Sequence, residues 1–172
     1  MQKSVISLIA AAAVVGIAAI GIQPHATVAE PAPTDVRPAD MPPQAFNPQM
    51  SALMNMIIQP RHAKMGLAAQ AENWSLAGYY FKELKAGFGV VGRAIPRWKG
   101  LPIPDLIEAS VDPTFPVLDF AIKAGEPRQF AEAYGKITQG CNNCHSTMDH
   151  PFIHIKTPDA SAWPNIDFKP TR

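Results

Sequence analysis

Apolar residues recur at helical spacing along most of the chain after residue 49. The clearest stripe lies near the C-terminus, where steps of three and four residues link six side chains: Phe130, Tyr134, Ile137, Cys141, Cys144 and Met148. Such steps place side chains on one face of an α-helix, because one helical turn takes about 3.6 residues. A strand would need alternation with a period of two, and no useful length of the sequence alternates in that way. The pattern therefore predicts an all-α fold.

Capping and helix-breaking residues divide this pattern into helices. The first helix is expected over residues 50 to 72, where Met54, Arg61 and Met65 lie within about 20° of one helical line at 100° per residue. Pro60 interrupts it and predicts a kink between about residues 56 and 61, because proline removes a backbone hydrogen bond. Asn73 is a good N-cap for a second helix, expected over residues 74 to 91.

The second half of the chain carries two further main helices. A connection rich in Gly and Pro over residues 87 to 104 leads to a short helix that Asp105 opens. The third main helix has Pro113 at its first position and Gly125 at its end. The fourth starts at Pro127 and runs through both cysteines. Four main helices, some joined by short loops, are typical of an antiparallel four-helix bundle.

Residues 1 to 29 have the features of an export signal. Lys3 gives a positive start, Val5 to Ile22 is an uncharged run rich in Ala and Ile, and Thr27 and Ala29 fit a signal-peptidase site. We therefore expect export to the periplasm and removal of this segment. The apolar run has about the minimum length for a membrane span, roughly 18 residues, so an uncleaved inner-membrane anchor is the alternative.

The remaining chain reads as a linker followed by one domain. Residues 30 to 48 are rich in Pro and lack an apolar period, which leaves residues 49 to 172 as a single small domain. The full chain has 15 basic and 14 acidic residues. Removal of Lys3 with the signal leaves 14 of each, a neutral chain. This balance argues against nucleic acid as a partner, because phosphate binding requires a basic surface.

Both cysteines lie in the sequence GCNNCH, residues 140 to 145, near the end of the last helix. The apolar stripe continues through them, so both thiols should face the core, and His145 shares that face because it follows Cys141 by four residues. A redox-active pair of Cys141 and Cys144 suits an oxidising compartment, but such pairs usually lie at a helix start, where the helix field stabilises a thiolate. A structural zinc site needs four ligands, and beyond the cysteines only scattered histidines are on offer.

The third interpretation is C-x-x-C-H, the attachment motif of c-type haem. Cys141 and Cys144, one turn apart, would form two thioether bonds to the porphyrin, and His145 would be the proximal iron ligand. This interpretation uses all three residues and requires an exported chain and an apolar pocket, both of which the sequence predicts. We therefore expect one covalently attached haem c.

A helical bundle with one haem on its C-terminal helix resembles the class II cytochromes c, the cytochrome c prime group. The segment RHAKMGLAAQAENWSLAGYYFKELKAGF, the late CNNCH and the tail fragments FI-I--P and N-DF-P are also similar to a family of small bacterial periplasmic cytochromes. The resemblance covers about residues 50 to 170. It implies one-electron transfer between unidentified redox partners, or gas binding at a five-coordinate iron. It also implies a possible homodimer, since class II proteins often pair through their first two helices.

The resemblance bears on the distal iron ligand as well. Class II members carry R-x-x-x-Met or R-x-x-x-Leu on the first helix, with the last residue above the distal haem face, and Arg61 and Met65 match that spacing. We favour His62 as the distal ligand, because ligation would satisfy a buried imidazole, and keep Met65 as the alternative. An open distal face is the third option. Met54 and Met56 are interpreted as core side chains.

The tail after the motif is interrupted by proline and should not be helical. We expect it to fold back and cover its apolar side chains, which are Phe152, Ile153, Trp163 and Phe168. His150 and His154 should be exposed or contact haem propionates. Taken together, the sequence predicts a periplasmic mono-haem cytochrome c that carries single electrons and is not an enzyme. The alternatives are a gas-binding haem protein and, thirdly, a CxxC thiol oxidoreductase without haem.

Overall fold

The computed structural model describes residues 48 to 171, which are mostly helical. The first helical stretch consists of α1 (Met50–Leu53), a π-helical segment (Met54–Ile58) and α2 (Gln59–Gln70). The other helices are α3 (Trp74–Ala94), α4 (Ile103–Ser110), α5 (Phe115–Ala124) and α6 (Pro127–Thr147). A short antiparallel hairpin of β1 (Arg97–Trp98) and β2 (Leu101–Pro102) precedes α4. The predicted helical content is confirmed, while the hairpin was not predicted.

The structure does not describe the N-terminal part of the chain. The export signal over residues 1 to 29, and residues 30 to 47 of the linker, lie outside the described residues. Within residues 48 to 171, no helix is both long enough and apolar enough to cross a membrane.

The first helical stretch is interrupted close to Pro60. Pro60 is the second residue of α2, which continues directly from the π-helical segment, so its missing N–H removes one backbone hydrogen bond from the widened turn. Arg61 Nη1 donates to the carbonyl oxygen of Ile57 at 2.9 Å and to that of Met56 at 3.5 Å. The Arg61 side chain thus donates to carbonyl oxygens in the turn where Pro60 has no backbone N–H to donate. The interruption that was expected as a kink takes the form of a π-helical turn beginning at Met54.

The second helix begins as predicted and ends later than predicted. The Asn73 side chain accepts a hydrogen bond from the Leu76 N–H at 3.1 Å, which confirms it as the N-cap. α3 then continues to Ala94 through glycines that the sequence pattern assigns to a connection. It ends before Pro96, because the residue preceding a proline disfavours helical angles, and Ile95 has φ −132° and ψ 77°.

The predicted capping residues of the later helices lie near the observed boundaries. α6 begins at Pro127, and Gly125 ends α5 in the left-handed conformation with φ 67°, both as predicted. Pro113 lies in a 3-10 turn, so that α5 itself begins at Phe115. α4 begins two residues before Asp105, which lies in its first turn.

The apolar stripe of α6 faces the core as predicted. Five of its six side chains are buried and the sixth, Cys144, is half-buried. Its aromatic members pack against one another and against α3: the rings of Phe130 and Tyr134 lie 5.4 Å apart, and those of Phe130 and Trp74 5.9 Å apart. The stripe therefore fixes the rotation of α6, and with it the direction in which the two cysteines point.

The tail is non-helical, as predicted, and hydrogen bonds hold it against the helices. The Gln70 side chain donates to the Pro158 carbonyl at 2.9 Å, and the Asn73 side chain donates to the Lys169 carbonyl at 3.1 Å. Phe168 packs against the core. The tail therefore folds back across the ends of α2 and α3.

The expected cover of the tail's apolar side chains is only partly found. Trp163 is half-buried, with Lys64 Nζ 4.9 Å from the ring centroid. Phe152 and Ile153 are 78% and 44% exposed, so the expectation was wrong for these two. This part of the tail is held by its backbone, through the Ile153 carbonyl that bonds His145, and not by burial of these two side chains.

Candidate haem-binding site

The two cysteines and the histidine of the C-x-x-C-H motif line one cavity. Cys141 is buried, Cys144 and His145 are half-buried, and both cysteines are free thiols. The cavity has a volume of about 360 Å³. Pockets for small ligands and cofactors typically measure roughly 300–1,000 Å³.

The opposite wall of the cavity belongs to the first helical stretch. Met50, Met54, Ile58 and His62 line it at steps of four residues. Apolar side chains from α3 and α4, such as Phe88 and Ile107, close further sides. An apolar cavity beside the motif is therefore present, as the haem interpretation requires.

His145 is oriented by a backbone carbonyl of the tail. Its Nδ1 lies 2.8 Å from the carbonyl oxygen of Ile153. A carbonyl only accepts hydrogen bonds, so Nδ1 carries the proton of the neutral ring and the lone pair lies on Nε2. Histidines that bind metals in proteins almost always donate their other ring N–H in this way, which fixes both the tautomer and the ring orientation.

Asn142, between the two cysteines, holds that tail segment in place. Its Oδ1 accepts from the Ile155 N–H at 2.7 Å, and its Nδ2 donates to the Ile155 carbonyl at 2.9 Å. The side chain thus pairs with one tail residue as a neighbouring strand would. Because Ile153 is two residues earlier, the same anchor positions the carbonyl that orients His145.

Replacing Asn142 by alanine is expected to lower the free energy of unfolding by about 1–3 kcal/mol, because the N–H and carbonyl of Ile155 lose their partners. The matched control is Asn143→Ala in the same motif. The Asn143 side chain is exposed and accepts from Gln139 at 2.8 Å, so its loss should change the free energy by less than about 0.5 kcal/mol. Urea unfolding of the two variants measures both values, and equal losses would contradict the anchoring role.

The environment of the thiols disfavours their ionisation. Burial raises the pKa of Cys141 to about 12, with a smaller contribution from the charge of neighbouring Cys144. Burial also raises the pKa of Cys144. Nucleophilic CxxC pairs have the opposite property, a pKa lowered below the ordinary value.

His62, the favoured distal ligand, is only 4% exposed and already has partners for both ring nitrogens. Nε2 lies 3.0 Å from Thr138 Oγ1, and Nδ1 lies 2.9 Å from Tyr134 Oη, both on α6. Burial lowers the pKa of His62 to about 4, which keeps the ring neutral at pH 7. His62 contributes to the cavity wall, but binding iron would require it to give up one of these bonds.

The alternative distal ligand, Met65, is fully buried in the core and is not among the side chains that line the cavity. Arg61, its partner in the R-x-x-x-M spacing, is directed to the Ile57 carbonyl and to Glu83, 3.6 Å away. On the first helical stretch, the methionines that line the cavity are instead Met50 and Met54, and Met148 lines it on the side of the motif. Met54 packs against the core, as expected, and also lines the cavity. Met56 is 74% exposed, so its interpretation as a core side chain was wrong; it lies on the outward side of the π-helical turn.

The two histidines after the motif differ in their surroundings. His154 is exposed, in line with the expectation for both. His150 is half-buried on the cavity wall, where its Nδ1 lies 2.6 Å from the Met148 carbonyl and its ring lies 5.2 Å from that of Trp98. His150, which follows α6, is thus held beside the end of that helix by the Met148 carbonyl and by the Trp98 ring of the hairpin.

Over residues 48 to 171, no three or more His, Cys, Asp or Glu side chains are grouped so as to hold a metal ion. A haem iron takes four ligands from the porphyrin and needs only an axial side chain, such as histidine, from the protein. Comparison of the chain with protein-family models, with curated proteins and with solved structures found no match. The resemblance to the class II cytochromes c therefore stays a prediction drawn from the residues themselves.

Proposed function

We propose that this chain is a periplasmic mono-haem cytochrome c that carries single electrons, with the haem on the last helix of an antiparallel four-helix bundle. The observation that carries the proposal is the 2.8 Å bond from His145 Nδ1 to the Ile153 carbonyl, at a cavity that both cysteines line. This bond leaves Nε2, the other ring nitrogen, available to a metal.

The residues present fit a c-type haem. Cys141 and Cys144 offer two sulfurs about one helical turn apart on the cavity wall, and His145 would hold the iron from the proximal side. When bound, the haem supplies an iron that changes valence by one electron. The apolar walls exclude water, and the Ile153 carbonyl raises the basicity of the imidazole; both are recognised ways in which a protein sets a redox potential.

Contacts between the first helical stretch and α6 support the antiparallel arrangement. His62 on α2 bonds to Thr138 on α6. Gly66, one turn later on α2, lies beside Tyr134, one turn earlier on α6, since a methyl group on Gly66 would lie 2.7 Å from Tyr134 Oη. Four residues forward along α2 thus correspond to four residues back along α6. This pairing supports opposite directions for the two helices.

A thiol oxidoreductase without haem is disfavoured by the same site. The pKa of Cys141 is raised to about 12 by burial, so the thiolate required for exchange would be scarce at pH 7. The pair also lies near the C-terminal end of α6, where the helix dipole opposes a negative charge.

A gas-binding haem protein is the second candidate, and one observation favours it. Both ring nitrogens of His62 are bonded to α6, and Met65 lies in the core, so neither expected distal ligand is free to bind iron. Spectra of the purified protein separate the two functions. A low-spin, six-coordinate spectrum supports electron transfer, and a high-spin spectrum that shifts with CO supports gas binding.

Covalent attachment is the direct test of the proposal. After expression with the haem-attachment machinery, acid-acetone extraction should leave the haem on the chain, and Cys144→Ala should retain at most one link. Intact mass and the pyridine haemochrome spectrum report the number of links. Complete release of haem from the wild-type protein, or the absence of a Soret band, would refute the proposal.

A further inference from the structure

The proposed function leaves the sixth ligand of the iron undefined, and we propose that the thioether sulfur of Met54 supplies it. The inference rests on the proposed function, since it concerns the cavity side that faces His145. It differs from the spacing-based choices of His62 and Met65. Three observations carry it: the register of two helices, the π-helical turn, and the bonding of the competing side chains.

The register of the first helical stretch against α6 brings Met54 level with His145. His62 is fixed opposite Thr138 by a 3.0 Å hydrogen bond. Met54 lies eight residues before His62, and because the π-helical turn holds one additional residue, the distance along the axis is that of about seven α-helical residues, roughly 10 Å. His145 lies seven residues after Thr138, also about 10 Å along α6. Because the helices run in opposite directions, these displacements lead to the same level of the cavity.

The neighbours of Met54 on the same face fall at other levels. Ile58 is one turn nearer to His62, beside the first part of the motif, and cannot bind a metal. Met50 is one turn further away, level with residues that follow α6, such as His150. Of the side chains on this wall, Met54 is therefore the one that combines a ligating atom with the level of His145.

The π-helical turn directs Met54 into the cavity. In an uninterrupted α-helix, Met54 would lie about 80° around the axis from His62 and within about 20° of Met65. A π-helical turn contains one additional residue and so rotates the preceding residues by about 100°. Met54, the first residue of that turn, is thereby brought within about 20° of His62 and leaves the line of Met65, as the cavity lining shows.

The competing side chains, His62 and Met65, already make contacts that iron binding would break. His62 would have to break a buried hydrogen bond to Thr138 or Tyr134, and Met65 would have to leave a core in which it is 0% exposed. Met54 is half-buried on the wall, and its flexible thioether makes no strong demand for a hydrogen-bond donor. Thioether sulfur is an established axial ligand of haem iron.

The first comparison is between the full-length haem-loaded protein and the variants Met54→Leu, Met56→Leu and Met65→Leu, and Met50→Leu and His62→Gln are further controls. Met56 is the matched control, because it lies in the same π-helical turn and is 74% exposed. The wild-type ferric protein should be low-spin with the weak far-red band of an iron–thioether bond, and its ferrous form should not bind CO. Met54→Leu should lose the band and bind CO, whereas all the other variants should keep the wild-type spectrum.

A second substitution, Met54→His, keeps a ligand at the position but changes its chemistry. It should remain low-spin without the thioether band and should have a lower reduction potential than the wild type, since a second imidazole stabilises the ferric state relative to thioether. Retention of the thioether band in Met54→Leu, or its loss in Met50→Leu, would overturn the inference. So would loss of the low-spin spectrum in His62→Gln, or a wild type that is already high-spin.

These outcomes are distinct from failure of the proposed function. If the chain does not carry haem, the wild type and every variant lack a Soret band, and both proposals fail. If covalent haem is present in all of them and only the response to Met54 differs from that expected, the inference fails while the cytochrome proposal stands.

Discussion

Lowering the pH from 7.5 to 4 is expected to reduce the free energy of unfolding by about 3 kcal/mol through His62 alone. Burial lowers the pKa of this imidazole from 6.5 to about 4. In the unfolded chain His62 takes up a proton near pH 6.5, whereas the folded protein resists protonation until about pH 4. The unfolded state therefore binds more protons between these values, and stability falls as the pH falls through that window.

The position of the ring explains why protonation is resisted. His62 lies between α2 and α6, with its ring centroid 4.5 Å from that of Tyr134, and is 4% exposed. Its hydrogen-bond partners are hydroxyl groups, Tyr134 Oη and Thr138 Oγ1, which carry no negative charge to offset a buried imidazolium. Desolvation is the cause of the lowered pKa.

Urea unfolding at pH 7.5 and pH 4 measures this effect. In His62→Gln the difference between the two free energies should be smaller than in the wild type by about 3 kcal/mol, since that group no longer titrates. His154→Gln is the control, because His154 is exposed and its replacement leaves the surroundings of His62 unchanged. Equal pH dependence in the wild type and His62→Gln would show that another group governs acid sensitivity.

The helices and the orientation of the motif were predictable because they depend on local pattern. The stripe through Cys141 and Cys144 repeats over the whole of α6, and a repeated signal tolerates an error at any one residue. Caps act within one turn, so Asn73, Pro127 and Gly125 could be identified from their immediate neighbours. Both kinds of signal are contained in short windows of sequence.

The distal side of the cavity was not predictable in the same way. The helical line through Met54, Arg61 and Met65 assumed 100° per residue throughout, and the π-helical turn breaks that assumption by adding one residue to a turn. Pro60 predicted that the first helical stretch is interrupted, but it did not predict that the interruption is a π-helical turn. Because of this one additional residue, Met54 lines the cavity and Met65 does not.

The orientation of His145 depends on contacts that sequence patterns do not reveal. The carbonyl that bonds its Nδ1 belongs to Ile153, and the asparagine that anchors this part of the tail pairs with Ile155, 13 residues later in the chain. No periodicity links these residues, because the tail has no regular secondary structure. The C-x-x-C-H motif could be identified from the sequence. The hydrogen bond that orients His145 could be identified only from the structure.

Two glycines of α6 are expected to respond to alanine with opposite signs. A Cβ on Gly140 would collide with the carbonyl oxygen of Ser110 and lie 3.2 Å from its carbonyl carbon. A backbone carbonyl cannot rotate away as a side chain can, so α6 must move from the end of α4 together with Cys141, the next residue. We expect Gly140→Ala to lower the free energy of unfolding by about 3 kcal/mol, at the upper end of the usual cost of overpacking.

Gly135 is the matched control, since it lies on the exposed face of the same helix. Among the described residues, no atom lies within 4 Å of a Cβ placed there, apart from the immediate chain and its helix backbone. Gly135→Ala should therefore raise the free energy of unfolding by about 0.5–1 kcal/mol, because alanine is the better helix former. Urea unfolding of both variants gives the comparison, and haem content per chain should fall only in Gly140→Ala, whose substitution displaces Cys141. Stabilisation by both alanines would mean that α4 and α6 are not packed as closely as the Ser110 contact requires.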